Sequence, residues 1–293
     1  MTIVPTAGWQ ELLQRLGTLK GAALFLGRSD SGKSTLVRYL LAELAAGGLA
    51  VALVDADVGQ SFLGLPGTVS RRTFTAAPAP YELRWEQLCF LGSVTPVPIL
   101  SLLAAETGRM VLRCRQEARL TLVDTTGLVD GQLGHALKLA KIRAAVPELV
   151  VAVAAGAELE PILASIPAVE TVRLAPAEMV QRRSPELRTR YRRARIAAYL
   201  HGAKELLLTT RRLIFLRHGV PVHPWFAPPD VGVVVGLNHD GETRALGVVT
   251  EADAGSLTVL TPLSSLRGID RVILGDFSYA PPEGLKSFQP GPV

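Results

Sequence analysis

The sequence has 293 residues, 48% of them hydrophobic and 19% charged, with a formal net charge of +5. This length allows one large domain or one large domain with a small partner, and the composition excludes an extensively disordered chain. No apolar run is long enough to span a membrane and no basic-then-apolar leader opens the chain, so we expect a cytoplasmic protein without membrane contact. The excess of arginine and lysine suits an anionic partner.

The first predicted elements are an amphipathic helix over residues 8–19 and a buried strand over residues 22–26. A loop follows, Gly27-Arg28-Ser29-Asp30-Ser31-Gly32-Lys33-Ser34, and residues 35–44 then carry apolar side chains at helical spacing. The loop matches the phosphate-binding pattern G-x-x-x-x-G-K-[ST] at every fixed position. Between a strand and a helix, its backbone N–H groups and the helix N-terminus converge on phosphate oxygens. The sequence therefore predicts a nucleoside triphosphate site.

Seven residues of this loop are predicted to hold the nucleotide: Gly27, Asp30, Ser31, Gly32, Lys33, Ser34 and Thr35. In such loops the lysine reaches the β- and γ-phosphates, and the hydroxyl of the following residue binds Mg²⁺. We therefore expect Lys33 to contact phosphate and Ser34 to bind magnesium.

An acidic segment follows the next predicted strand, which covers residues 50–54. It reads Asp55-Ala56-Asp57-Val58-Gly59-Gln60, and acidic residues in this position lie at the carboxyl edge of a parallel sheet, where α/β folds bind ligands. Either carboxylate can hold magnesium or accept a proton, and the pattern alone leaves the two roles open.

The next segments are predicted as a turn over residues 64–68, a loop over 73–81, a strand over 88–91 and a helix over 96–116. A buried strand over residues 120–123 leads into Asp124-Thr125-Thr126-Gly127, which has the D-x-x-G form of the γ-phosphate sensor in GTPases. A helix over 132–145 and strands over 149–153 and 169–172 follow. This alternation predicts an α/β fold, a three-layer P-loop domain with a parallel sheet.

An arginine-rich segment covers residues 182–195. Arg188, Arg192 and Arg195 fall at i, i+4 and i+7, on one face of a predicted helix. Like charges at this spacing repel, so the face favours an anionic target. An arginine helix above a triphosphate site is typical of a lid that neutralises the moving phosphoryl group, and the alternative is an ordinary solvated basic helix.

The remaining chain is predicted to form a small β-rich domain with strands over residues 213–218, 231–237, 245–249, 257–260 and 272–274. The strands at 245–249 and 257–260 are predicted to form a hairpin. We expect an N-terminal helix at residues 1–20, a P-loop domain at 21–204 with its lid at 182–200, and the β-rich domain at 205–293.

Taken in order, these motifs resemble the polynucleotide 5′-hydroxyl kinase family of the pre-mRNA cleavage complex and the related ribosomal-RNA-processing kinases. Four segments carry the resemblance: the loop G-R-S-D-S-G-K-S-T at 27–35, D-A-D-V-G-Q at 55–60 with the later Pro66-Gly67, D-T-T-G-L-V-D-G at 124–131, and the arginine segment at 183–199. The resemblance implies a kinase that uses ATP and Mg²⁺ to phosphorylate the 5′ ends of single-stranded RNA or DNA, and it indicates no particular protein partner.

The resemblance also implies roles for individual residues. Lys33 and Ser34 would hold phosphates and magnesium, Asp57 would be the general base that takes the proton of the 5′-hydroxyl, and Asp55 would support the metal. Gln60 and Thr125 would hold the 5′ end of the acceptor. The transferring phosphoryl group would be stabilised by the lid arginines Arg188, Arg192 and Arg195.

The sequence departs from the family pattern at three positions, where Asp124 replaces an asparagine, Leu128 a tryptophan and Arg28 a proline. Little sequence precedes the first predicted strand, so we expect no counterpart of the N-terminal β-domain of the eukaryotic members. Three alternatives stay open: a GTPase or ATPase switch, favoured by the D-x-x-G element, a non-catalytic nucleotide-binding scaffold, and a kinase that acts on a small molecule, because motifs encode the acceptor poorly. Against a GTPase, the sequence has no N-K-x-D motif, and its only asparagine is Asn238.

Overall fold

The computed structural model describes residues 5–78, 83–177, 183–223, 229–253 and 255–280. The chain divides into two compact units, Met1–Arg192 and Arg193–Val293. The domain limits expected from sequence, at residues 20/21 and 204/205, stay predictions. No helix in the described ranges has both the length and the apolar character needed to cross a membrane.

The first unit is organised around a seven-stranded sheet with the strand order β4-β3-β2-β5-β1-β6-β7. Its strands are β1 (Gly21–Leu26), β2 (Val51–Ala56), β3 (Thr68–Phe74), β4 (Gln87–Phe90), β5 (Leu120–Thr125), β6 (Leu149–Val153) and β7 (Glu170–Leu174). The five strands from β2 to β7 in this order are parallel, which confirms the predicted P-loop α/β architecture.

The sheet differs from the prediction at one edge. β3 is antiparallel to both β2 and β4, so the sheet is mixed rather than parallel throughout. Residues 73 and 74 belong to β3, although the sequence pattern predicted a loop over 73–81, and residues 79–81 lie outside the described part of the chain. Arg71 and Thr73 bond to Glu117, so one face of β3 is polar. A strand with a polar face is not a continuous apolar run, and the sequence pattern therefore did not predict it.

Helices cover both faces of this sheet. They are α1 (Ala7–Thr18), α2 (Lys33–Ala46), α3 (Leu100–Glu117), α4 (Gly131–Ala145) and the short α5 (Glu160–Leu163). A sixth helix, α6 (Pro185–Tyr199), contains the residue at which the chain divides into its two units. Successive side chains of a strand point to opposite faces. In β1, Leu24 and Leu26 therefore pack with the core that contains α3 and α4, whereas Phe25 packs with the core that contains α1 and α2. This arrangement is the predicted three-layer domain.

The second unit contains a second seven-stranded sheet with the order β10-β9-β14-β11-β12-β13-β8. Its strands are β8 (Lys204–Thr209), β9 (Ile214–Arg217), β10 (Val220–Val222), β11 (Val233–His239), β12 (Glu242–Ala252), β13 (Ser256–Thr261) and β14 (Arg271–Ser278). β12 and β13 pair antiparallel, which confirms the predicted hairpin, and β9 pairs parallel with β14. Sequence analysis missed β8 and β10.

The strand order brings three sequence motifs to one edge of the first sheet. β5 lies between β1 and β2, and Asp55 of β2 pairs in register with Asp124 of β5. The loop after β1, the turn after β2 and the segment after β5 therefore leave the sheet side by side, at its carboxyl edge.

Candidate active site

The phosphate-binding loop folds around its own lysine. Gly32 adopts a φ of +86° directly before α2, so Lys33 is the first helical residue. Lys33 is only 5% exposed, and its Nζ donates to the carbonyl oxygen of Arg28 at 2.9 Å. Burial lowers the pKa of Lys33, and three nearby aspartates oppose that effect. The ammonium group thus lies inside the loop, where P-loop proteins hold phosphate oxygens.

Two further residues leave room for an anion in this loop. A Cβ atom on Gly27 would lie 2.5 Å from the carbonyl oxygen of Val153 and 2.7 Å from Ser31 Oγ, so a larger residue does not fit. The Ser31 hydroxyl is buried and has no hydrogen-bond partner within the described chain. Because buried polar atoms are rarely left without a partner, this hydroxyl suits a ligand oxygen.

Ser34, which is predicted to bind magnesium, forms a hydrogen bond with Asp124, a residue for which the sequence predicted no specific role. Its Oγ donates to Asp124 Oδ2 at 2.5 Å, and Asp124 Oδ1 accepts the backbone N–H of Thr125 at 2.9 Å. Asp124 is fully buried, and this burial, together with repulsion from Asp55, raises its pKa to about 7. A hydroxyl and a carboxylate held together offer the hard oxygen ligands that suit Mg²⁺.

Asp55, for which the resemblance implies metal support, bonds to the turn that follows β2. It lies within β2 and is fully buried. Its Oδ2 accepts hydrogen bonds from the Ser61 hydroxyl (2.8 Å) and from the backbone N–H groups of Phe62 (2.8 Å) and Leu63 (2.9 Å), and its Oδ1 accepts one from the Asp57 N–H (3.1 Å). Burial raises the pKa of Asp55, and these donors oppose the rise. The side chain clamps the turn that carries Asp57.

Asp57 is half-buried in that turn and keeps one oxygen available. Its Oδ1 accepts the backbone N–H groups of Gly59 (3.0 Å) and Gln60 (3.1 Å), while its Oδ2 receives no hydrogen bond from the described residues. Gln60 Nε2 donates to the Gly59 carbonyl at 2.8 Å, and Gln60 Oε1 is buried without a partner in the described ranges. The turn therefore presents one carboxylate oxygen and one amide oxygen.

Thr125 is fully buried, and its side chain bridges two strands. Its hydroxyl donates to the Phe25 carbonyl of β1 at 2.7 Å and accepts a bond from Lys138 Nζ at 3.0 Å. The resemblance implies an acceptor contact for Thr125, and in this structure both bonds of its hydroxyl group go to the protein. The next residue, Thr126, is 4% exposed.

The arginine helix α6 contacts both the phosphate loop and the acidic turn. Arg188 Nη2 donates to Asp30 Oδ2 at 2.6 Å, and the Arg183 backbone N–H donates to the same oxygen at 3.2 Å. The Tyr191 hydroxyl donates to the Ser61 carbonyl at 2.9 Å. The start of α6 is therefore docked on the loop that holds the nucleotide in P-loop proteins. Arg182 lies outside the described residues.

Arg192 follows one turn later on α6 and forms no ion pair with any described carboxylate. Its Nη2 donates to Thr189 Oγ1 at 2.9 Å, and burial together with repulsion from Arg188 lowers its pKa. A half-buried guanidinium in this state favours an anionic ligand. Arg195 lies further along α6, beyond the point where the chain divides.

Sequence analysis missed several contacts that shape the site. Arg28 forms a two-pronged ion pair with Asp130, the residue before α4, with Nη2 to Oδ1 at 2.6 Å. A Cβ atom on Gly127 would lie 2.3 Å from the backbone nitrogen of Ser29, so the segment after β5 packs directly on the phosphate loop. Two fully buried lysines on α4 also reach the strand ends. The only signal for these two lysines in the sequence is that both charged residues fall on the apolar face of α4.

The fold and the loop define a P-loop protein: a strand–loop–helix phosphate site beside a carboxylate on the neighbouring parallel strand. Residues 27–202 match the model of the family described as mRNA cleavage and polyadenylation factor CLP1 P-loop. The chain belongs to this family, which confirms the resemblance found in the sequence.

Individual relatives carry related names. A polyribonucleotide 5′-hydroxyl-kinase of Pyrococcus furiosus is 32% identical over 189 residues, which are 62% of this chain and 51% of the relative. The polyribonucleotide 5′-hydroxyl-kinase Clp1 of Xenopus tropicalis is 30% identical over 204 residues, 65% of this chain and 46% of the relative. This chain spans about half the length of the curated relatives it matches.

A solved structure of a wild-type Clp1p–Pcf11p complex superimposes on 95% of this chain and 81% of the matched chain, with a TM-score of 0.76 and 14% sequence identity. At this identity the likeness shows a shared fold.

Proposed function

We propose that this chain is an ATP-dependent polynucleotide 5′-hydroxyl kinase that transfers the γ-phosphate to the 5′-OH end of RNA, with DNA as a second acceptor to be tested. One observation carries the proposal: two backbone N–H groups hold one carboxylate oxygen of Asp57, and its other oxygen stays open. The charge of this carboxylate also acts on Lys33 of the phosphate loop. A hydrolytic switch needs no side chain that takes a proton from an alcohol, whereas a kinase does. The names of the relatives support the same reaction.

In the proposed reaction Asp57 Oδ2 accepts the proton of the acceptor 5′-hydroxyl. The hydroxyl oxygen forms a bond to the γ-phosphorus of ATP as the bond between that phosphorus and the β–γ bridging oxygen breaks. The products are a 5′-phosphorylated end and ADP, and the proton passes from Asp57 to solvent. The clamp by Asp55 fixes the turn, so the open oxygen keeps its direction.

Magnesium fits the oxygen ligands beside the loop, and we assign it to Ser34 with Asp124 as the supporting carboxylate. When bound it would neutralise charge on the β- and γ-phosphates. This assignment moves the metal-supporting role from Asp55 to Asp124, because the Asp55 oxygens are already used by four donors of the turn.

The lid arginines have distinct proposed roles. Arg188 pairs with Asp30 and holds α6 on the phosphate loop. Arg192 has no acidic partner among the described residues and is the candidate that stabilises the transferring phosphoryl group. Arginines in this role contribute roughly 10³–10⁵ in rate in related phosphoryl-transfer enzymes. For Arg195, which lies further along α6, the role that the resemblance implies stays a prediction.

The acceptor end is proposed to lie between the acidic turn and the segment after β5. Ala56 pairs in register with Thr125, so Asp57 and Thr126 leave neighbouring strands side by side. Because the Thr125 hydroxyl is used between strands, we assign the acceptor contact to Thr126 and Gly127 rather than to the Thr125 side chain. Gln60, with its unpartnered buried oxygen, stays a proposed acceptor residue.

The test is transfer of label from γ-labelled ATP, with magnesium, to single-stranded 5′-hydroxyl RNA and DNA oligonucleotides. Label is expected at the 5′ end with the wild-type protein and not with Lys33→Ala. Asp57→Asn is expected to bind ATP as the wild type does and to lose roughly 10²–10⁴ in transfer rate, the usual contribution of a general base. Hydrolysis of ATP without labelled oligonucleotide would contradict the kinase and favour a switch.

A further inference from the structure

Two lysines on α4 are completely buried beneath the proposed site. Lys138 and Lys141 have no exposed surface and lie three residues apart, on one helix face. Lysine is almost never fully buried unless it has a partner. Neither ammonium group lies within 4.0 Å of a carboxylate of the described chain, so their partners are of another kind.

Lys138 holds the segment that leaves β5. Its Nζ donates to the Thr126 carbonyl oxygen, to Thr125 Oγ1 at 3.0 Å and, more weakly, to Thr126 Oγ1 at 3.4 Å. All three acceptors belong to the two residues before Gly127, whose backbone packs on Ser29 of the phosphate loop. One ammonium group therefore fixes the path of the chain where the acceptor is proposed to bind.

Lys141 holds the segment that leaves β2. Its Nζ donates to the Ala56 carbonyl oxygen at 2.9 Å, and Ala56 lies between Asp55 and Asp57. The bond fixes the peptide unit that joins the turn clamp to the proposed general base. The two lysines thus bond to neighbouring strand ends, one each, from the same helix.

The carbonyl groups at the two strand ends account for lysine side chains at such costly positions. Burial lowers the pKa of both groups, well below the ordinary lysine value for Lys138 and to about 8 for Lys141. Repulsion from Lys141 lowers the pKa of Lys138 further, and Asp57 and Asp124 oppose the fall in both groups. An apolar side chain would fill the same space but would leave the two carbonyl groups without their donors.

We propose that Lys138 and Lys141 are positioning residues with separate tasks: Lys138 orders the acceptor-binding segment Thr126–Gly127, and Lys141 orders the turn that carries Asp57. The division follows from the carbonyl that each ammonium group holds, and it rests on the proposed kinase function for the meaning of the two segments.

The kinetic test compares Lys138→Met and Lys141→Met, because methionine keeps the length and packing of the side chain without its charge or donors. Lys138→Met is expected to raise the acceptor KM roughly tenfold or more with little change in kcat, the signature of lost binding. Lys141→Met is expected to lower kcat by roughly 10²-fold with little change in KM, as expected when a reacting group is misplaced. ATP affinity should change in neither variant.

A matched control is Leu137→Ala, which removes buried packing from the same helix without touching an ammonium group. It lowers stability but is expected to leave both KM and kcat near the wild-type values at a temperature where it stays folded. Equal changes of KM and kcat in all three variants would overturn the inference, because α4 would then act only as packing.

Backbone hydrogen exchange tests the positioning separately from the reaction. Lys141→Met is expected to speed exchange in the turn of residues 57–63, and Lys138→Met in residues 126–131. If the wild type transfers no phosphate, the proposed function fails while this pattern still decides the positioning. Exchange that rises equally in both segments in each variant would refute the division of tasks.

Discussion

Replacement of Asp55 by asparagine separates the two roles that a buried carboxylate can play here. As a metal support it would matter for magnesium-dependent activity, and as a clamp it would matter for stability. The geometry favours the clamp, because one carboxylate binds four donors of the turn that follows. Asp55→Asn keeps the shape of the side chain and exchanges one oxygen for an NH₂ group, which cannot accept a hydrogen bond.

The cost follows from the bonds that change. The remaining amide oxygen can face the Ser61 hydroxyl and the N–H groups of Phe62 and Leu63, so the Asp57 N–H loses its acceptor. Bonds to a charged group are worth about 1.5–3 kcal/mol and neutral ones about 0.5–1.5 kcal/mol. The lost bond costs about 1.5–3 kcal/mol and each of the three weakened bonds about 1–1.5 kcal/mol, so the total is about 4.5–7.5 kcal/mol. This is a large part of the ~5–15 kcal/mol that stabilises a typical domain.

The assay is urea unfolding of the wild type and Asp55→Asn, followed by magnesium titration of the transfer rate. Asp57→Asn is the matched control, since it lies two residues away, is half-buried and should lose activity with little change in stability. A change in unfolding free energy below about 0.5 kcal/mol, the usual range for surface substitutions, would refute the clamp. If Asp55→Asn kept its stability and required far more magnesium for transfer, Asp55 would be the metal support.

Three further predictions concern the loop, the lid and Asp124. Gly127→Ala should weaken ATP binding at least roughly tenfold. The new Cβ atom would lie 2.3 Å from the backbone nitrogen of Ser29, so the phosphate loop would have to shift. Unchanged ATP affinity in a fluorescence titration would contradict this. Arg192→Ala should lower kcat by roughly 10³-fold with little effect on ATP affinity, and a loss confined to affinity would remove its transition-state role. Asp124→Asn should gain stability relative to the wild type as pH rises from about 4 to 7. The folded-state pKa of Asp124, about 7, exceeds its ordinary value of 3.8, so the wild type loses the stabilisation of its protonated form across that window. Urea unfolding at pH 5 and pH 7.5 measures the difference in unfolding free energy between the two proteins, and an equal difference at both pH values would contradict the shift.

Much of the fold followed from local sequence. The loop at residues 27–34 specifies its own conformation, since glycine at position 32 permits the positive φ before α2 and the apolar runs on either side form β1 and the helix. The buried strands of the parallel core were predicted for the same reason, because strands buried on both faces are continuous apolar runs. β3 was not predicted because it is an antiparallel strand, next to the edge of the sheet, with a polar face.

Only the tertiary structure assigned the carboxylates and the buried lysines. Asp55 and Asp57 differ by two positions in sequence, yet one is a clamp within β2 and the other keeps an open oxygen, because the strand ends between them. Asp124 reaches Ser34 across 90 residues of chain, and Lys141 reaches Ala56 across 85. The sequence determined which groups the chain contains and which segments are strands. The order β2-β5-β1 decided which of those groups meet, since hydrogen bonding and burial depend on neighbours that are distant along the chain.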